Sequence, residues 1–253
     1  MIAAVVVVCL QSAPSFDVRM ATLEARRASM RHQVWVSERS GWQRIITMNE
    51  ARFGEGVVPE RDLIQARVEG GLLDLEVSQS QLELEAARRR LAAELGSPES
   101  ELPDLEDSAE PGFPPLPPLD LDRPELAQAA SEYETARDQI STFRLRLLAS
   151  CAESVEIEEL LYEQLKTSLW TLLDARRTCR GIRLRYIDTL HRAESARIRL
   201  RSLLGREDFP PRRAGAPSSP LSASRSRWAR SIFEAGRTLC RRRNRRAIRP
   251  SRR

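Results

Sequence analysis

Residues 52–96 read RFGEGVVPERDLIQARVEGGLLDLEVSQSQLELEAARRRLAAELG, and the punctuation of this stretch decides the fold. Gly54 and Gly56 end one helix and Pro59 opens the next, because glycine permits the positive φ of a tight reversal and proline suits a helix's first turn. From Pro59 to Leu95 the apolar residues recur at spacings of three and four along two seams. One seam is Val68, Leu72, Leu75, Leu82 and Ala86; the other is Leu73, Val77, Leu84, Ala87 and Leu91. A two-stranded coiled coil needs only one seam, so two predict neighbours on two sides, as in a ring or sheet of helices. At ~1.5 Å of rise per residue this helix is roughly 55 Å long.

Working outward, Phe16 to about Phe53 reads as the preceding helix, with Val18, Leu23, Met30, Val34, Trp42, Ile45, Ile46 and Met48 as its apolar positions. After Gly96, Ser97 and Pro98 comes a segment rich in proline and acidic residues, which reads as an extended linker. A third helix is expected from about Arg123 to Tyr162, capped by Asp122 and interrupted near Ser150 and Cys151. A fourth is expected over Leu169 to Leu204, with the seam Leu172, Ala175, Cys179, Ile182, Tyr186, Thr189, Ala193, Ala196, Leu200 and Leu203. The predicted fold is therefore all-α: two long antiparallel helical hairpins, 17–96 and 123–205, joined by the linker 97–122. An apolar segment, 1–16, precedes them as a candidate signal remnant, and an Arg-rich tail, 206–253, expected to be disordered, follows.

Composition agrees with long helices. Among 253 residues only 5% are aromatic and 11 are glycine. The net charge of +5 divides unevenly, because residues 206–253 hold 15 arginines against Glu207, Asp208 and Glu234, which makes the tail +12 and leaves the body at −7. An acidic body with a basic tail is not the distribution of a specific nucleic-acid binder, whose basic residues would spread over a folded face. Cys9, Cys151, Cys179 and Cys240 have no metal-ligand spacing and read as structural thiols. In a periplasmic setting Cys151 and Cys179 would be a possible disulfide pair. His32 and His191 are the only histidines, both read as solvated helix positions, and no GxSxG, Walker or HExxH pattern occurs, so no catalytic residue, cofactor or metal is assigned.

The chain also repeats itself. A shift of 109 residues places Leu63, Ala66, Arg67, Leu75, Glu85, Ala87, Arg88, Arg90, Leu91, Leu95 and Gly96 on identical residues ending at Leu204 and Gly205. The second seam of the Pro59–Leu95 helix falls on the seam of the fourth helix, and Phe53 falls opposite Tyr162.

Residues 52–59 with Asp62, Leu63, Ile64 and Ala66, and the closing run 89–96, resemble the first hairpin of TolC-like outer-membrane efflux proteins. Residues 172–178, Tyr186, Ile187 and Asp188 look most like the heavy-metal (cobalt, zinc, cadmium) branch, and Arg123 to Leu126 is similar to the opening of the family's second repeat. Together these cover about residues 17–205. The resemblance implies a homotrimer whose hairpins form a twelve-helix periplasmic tunnel carrying metal ions or drugs, in the outer membrane and periplasm. It implies a periplasmic adaptor and an inner-membrane pump as partners. The hairpin tips, Gly56, Val57 and Val58 in the first copy and Thr167 and Ser168 in the second, are then the adaptor contacts.

The family closes its periplasmic entrance with acidic side chains on the second hairpin. One of them matches Asp174, and the other falls on Thr171. Two departures stand out: Leu165 occupies the place of the second tip's glycine, and the family's long strand-bearing insertion between the positions of Phe143 and Glu156 is absent. The rival reading is a soluble coiled-coil scaffold or adaptor without transport activity, which explains helices and seams but not the repeat.

Overall fold

The computed structural model describes residues 14–99, 102, 112–120 and 122–205. The apolar start, the Arg-rich tail, Cys9 and Cys240 lie outside the described residues. Five helices, α1 (Phe16–Gly54), α2 (Glu60–Leu95), α3 (Pro124–Thr142), α4 (Leu148–Glu163) and α5 (Leu169–Leu204), carry the fold, and a π-helical turn (Phe143–Leu147) joins α3 to α4. No strand occurs among the described residues, and the all-α architecture of two antiparallel hairpins holds. The expected interruption near Ser150 and Cys151 does not occur. Helix runs unbroken from Pro124 to Glu163, and its irregularity falls earlier, at the π turn.

Each hairpin packs along its length, α1 on α2 and α5 on α3 and α4, and α1 packs in turn on α5. The result is a row in the order α2, α1, α5, α3–α4, with α2 and α3–α4 as its edges. The α5 seam is buried or half-buried throughout, and so is the α2 seam from Leu73 to Leu91. The other α2 seam has no neighbour among the described residues: Val68, Leu72, Leu75 and Leu82 are exposed, Leu75 to 68%.

The duplication, partial in letters, is exact in the bounds of α2 and α5. α2 and α5 both hold 36 residues, and each ends on a left-handed glycine, Gly96 at φ 64° and Gly205 at φ 61°. That conformation costs glycine nothing and lets the last carbonyls be capped. The π turn explains where the long helices part company. Beyond it the copies keep the 109-residue shift, with Cys151 in the place of Trp42. Before it the buried Ala129 and Tyr133 fall one residue short, on Ala21 and Ala25. Ion pairs follow the same offset: Glu24 bonds Arg90 at 2.8 Å, and Glu132 bonds Arg199 at 3.2 Å. A π turn absorbs one inserted residue without breaking a helix, and here it places Phe143 against the Tyr186 ring and Arg144 Nε on the Tyr186 hydroxyl at 2.9 Å.

Part of the linker is packed rather than free-running. Phe113, Leu116 and Leu119 cover the α3–α5 cluster of Leu126, Ala129, Tyr133, Ala196 and Leu200, and Tyr133 Oη donates to the Pro114 carbonyl at 2.8 Å. The cysteines also depart from the structural-thiol reading. Cys151 and Cys179 form a disulfide with Cα atoms 5.1 Å apart, which on chain-entropy grounds stabilises the hairpin by about 3–4 kcal/mol.

The hairpins are joined by a shared apolar cluster, with Trp35, Trp42 and Ile45 of α1 against Leu169, Leu172 and Leu173 of α5, and by buried ion pairs. Glu69, only 2% exposed, accepts from Arg177 at 2.5 Å and pairs with Arg180 at 3.5 Å. Glu38 pairs with Arg183 at 3.2 Å and Arg176 at 3.6 Å, and Asp188 pairs with Arg27 and Arg31. The same arginines lie over indole rings, Arg176 over Trp42 and Arg180 over Trp35, where the cation meets the ring's negative face.

Two stability measurements check this packing. Glu69→Ala removes the buried carboxylate and its charge-assisted bonds to two partly solvated arginines, and urea unfolding is expected to show a loss of about 2–3 kcal/mol. Burial pushes the Tyr133 hydroxyl up to about 12 from its ordinary 10. The unfolded chain therefore ionises first, and this stability contribution, complete below pH 10, is lost as pH rises toward 12. Tyr133→Phe is expected to remove that part of the alkaline loss, about 2 kcal/mol.

Candidate functional site

The two hairpin tips lie at the same place in the repeat and fold alike. At the first, the Glu55, Gly56 and Val57 amides donate to the Ala51, Phe53 and Arg52 carbonyls, and at the second the Gln164, Leu165 and Lys166 amides donate to Leu160, Tyr162 and Leu161. This is the Schellman pattern, which needs a left-handed residue just past the helix. Gly56 supplies it at φ 73° in the first tip. Leu165 supplies it at φ 60° in the second, so the missing glycine does not change the turn.

Gly56 and Val57 are exposed and Val58 is half-buried. Thr167 is half-buried, and Ser168 caps α5, its Oγ accepting from the Thr171 amide at 3.2 Å. Phe53, Val57, Ile64, Leu165 and Trp170 add exposed apolar surface at this end. Asp174 is exposed on α5, as are Trp170 and Thr171, and it makes no ion pair among the described residues. The tips are also tied to each other. Tyr162 Oη donates to buried Asn49 Oδ1 at 2.7 Å, and Arg52 donates to the Tyr162 and Glu163 carbonyls while its guanidinium lies 5.1 Å from the Tyr162 ring. Phe53, the repeat partner of Tyr162, is exposed, so the two aromatic positions are not equivalent in burial.

Reading the sequence alone missed this tie and the buried Glu38 and Glu69. A signal was present for Glu69, which sits between Ala66 and Leu73 on a seam of otherwise small or apolar residues. Neither histidine is simply solvated. His32 Nδ1 lies 3.0 Å from buried Ser80 Oγ, and burial between α1 and α5 pushes the half-buried His191 imidazole down. Among the described residues no cluster of His, Cys, Asp and Glu could hold a metal ion, and no helix is long and apolar enough to cross a membrane.

No protein-family model and no curated protein sequence matches the chain. Its architecture nevertheless defines a class: the fold is TolC-like, that of the helical tunnel part of outer-membrane channels. In particular it is similar to the outer-membrane channel OprN, with a TM-score of 0.66 and 16% identity over 75% of this chain and 65% of that one. It is similar also to CusC, solved in work on folding and transmembrane channel formation, with a TM-score of 0.62 and 16% identity over 74% and 67% of the two chains. A membrane protein from Pseudomonas aeruginosa gives a TM-score of 0.61 and 15% identity over 73% and 66%. The chain thus spans about two-thirds of the length of these structures.

The strained tip gives a direct check. A non-glycine residue in the left-handed region costs about 1–2 kcal/mol, so Leu165→Gly is expected to raise the urea midpoint by a stability gain of about 1 kcal/mol, while Gly56→Leu lowers it by a similar amount.

Proposed function

We propose that the chain is a non-enzymatic outer-membrane channel component of a tripartite efflux pump, supplying the periplasmic helical tunnel as a homotrimer. One observation carries this reading: the two open edges of the row are the repeat equivalents of the two sides of its central joint. On α2 the exposed Ile64, Val68, Leu75 and Leu82 correspond to Leu173, Arg177, Leu184 and His191, on the side of α5 that faces the first hairpin. At the other edge the exposed Leu147 and Ile157 correspond to Glu38 and Met48 of α1, which face α5.

The neighbour that α2 lacks is therefore the equivalent of α1, namely the α3–α4 helix of another copy. Pairing them keeps the up-and-down alternation of the row. Such a contact is head-to-tail, which makes a ring where the rotation between copies closes, and two-sided seams are what the wall of a ring requires. Three copies follow from the family resemblance.

In this assembly the tips, with Gly56, Val57, Val58, Thr167 and Ser168, meet a periplasmic adaptor that links the tunnel to an inner-membrane pump. Asp174, repeated around the axis, forms a ring of carboxylates that repel one another and attract cations, a gate sensitive to salt. The cargo is metal ions or drugs, the metal reading following the likeness of residues 172–178 to the heavy-metal branch. Localisation is the periplasm and outer membrane. Helix fills the place where the family inserts strands, so membrane attachment has to come from other parts or partners. That same continuous helix favours the second reading, a soluble coiled-coil scaffold.

Native mass spectrometry of the full chain and of Leu75→Glu/Leu82→Glu separates the two readings. The channel reading expects a trimer that the double substitution converts to monomer, with circular dichroism unchanged. A parent chain that is monomeric at all concentrations, or found in the cytosol of its host on fractionation with a high-salt wash, contradicts it.

A further inference from the structure

The two hairpins are locked at the same crossing point by different chemistry. In the first, Ile46 fills the space over Gly70, where an added Cβ would sit 2.6 Å from its Cδ1 and 3.7 Å from the indole of Trp42, and Trp42, 1% exposed, donates its Nε1–H to the Ala66 carbonyl at 2.8 Å. Trp42 and Ile46 thus fasten α1 to α2 at this level. The repeat puts Cys151 at the Trp42 position and Cys179 at the Gly70 position, so a covalent bond stands where the first hairpin has that ring and glycine.

The substitution matters because, apart from the Glu159–Arg176 ion pair and the tie of Tyr162 at the tip, α4 buries little. Of its 16 residues only Leu148, Cys151 and Tyr162 are buried, and Ile157 and Leu160 stand about half exposed. The bond also closes the segment that contains the second tip, where Leu165 holds an unfavourable left-handed backbone.

We propose that the Cys151–Cys179 disulfide is an oxidative lock on the second hairpin, installed by exchange with a disulfide-bearing thiol oxidase, and that α4 holds its place on α5 only once the bond is made. In the exchange one cysteine thiolate attacks a sulfur of the donor's disulfide and forms a mixed disulfide. The second cysteine thiolate then attacks that bond and forms the Cys151–Cys179 bridge, and the donor departs as a dithiol carrying the two electrons and two protons. Cys179 is 1% exposed and Cys151 7%, so the donor reaches them before α4 closes on α5. The lock is set in an oxidising compartment and stays open in a reducing cytosol. It does not rest on the channel reading, since a scaffold secreted to the same compartment would be locked in the same way.

The test uses the full chain carrying Cys9→Ser and Cys240→Ser, so that only this pair titrates, produced once with an appended export signal and once in a reducing cytosol. Free thiols are counted under denaturing conditions, and amide hydrogen exchange is followed by mass spectrometry over residues 148–163 and 16–54. The exported chain is expected to show no free thiol. Adding dithiothreitol should accelerate exchange over 148–163 by about 100-fold and leave 16–54 slow. A further Cys151→Ala/Cys179→Ala change should give the fast rate with or without reductant, which separates loss of the bond from other effects of the reagent. Two free thiols in the exported, folded chain overturn the proposal, and so does exchange over 148–163 that reduction leaves unchanged.

Discussion

Two buried carboxylates, Glu38 and Glu69, each held by two arginines of α5, fix how the hairpins sit against one another. A carboxylate this deep is tolerated only with its counter-charge in place, because water no longer solvates it. Leu and Ala recur at every turn along the seams, so their spacing alone singles out no one register. A buried charge with assigned partners has one register, so α1 and α5 cannot slip without stranding Glu38 or Glu69. Everything at the outer faces inherits that register: the level of the two tips, the Asn49–Tyr162 tie between them, and the heights of the apolar stripes on α2 and α4.

Around this joint the chain is one hairpin used twice, with three local solutions that differ. The first tip turns on glycine and the second on a strained leucine. The first crossing is locked by a tryptophan and the second by a disulfide. The first long helix is regular, while the second takes up a residue in a π turn and uses it to seat Phe143 and Arg144 on Tyr186. Each variation keeps the helix axes where the copy needs them, and so the edges stay equivalent to the joint.

Much of this was legible in the residues. Periodicity gave the helices and the second seam of α2, and Gly96 and Gly205 marked the helix ends at their observed places. The exposed run from Val68 to Leu82 was visible as a seam without an assigned partner. The π turn was not, because a one-residue offset between stretches rich in Ala and Glu leaves few letters to betray it. The disulfide was named from the sequence only as a possible pair in a periplasmic setting, because a separation of 28 residues brings two cysteines together only if the hairpin register is already known. At the second tip the usual preference for glycine argued against a turn that hydrogen bonding within the tip imposes on Leu165. The roles of Gly56, Val57, Val58, Thr167, Ser168 and Asp174 rest on resemblance, since exposure alone does not say what an exposed residue meets.

The central claim is that the α2 edge of one copy seats on the α3–α4 edge of the next as α5 seats on α1. The most direct measurement is a photo-activated benzophenone side chain introduced at Val68, with the cross-linked peptide identified by mass spectrometry. The account predicts an adduct between copies, on the stretch from Leu147 to Cys151, which the repeat places where α1 meets Arg177's level of α5, and products that end at a closed ring. Adducts between two α2 helices, or adducts confined to a single chain, would contradict it.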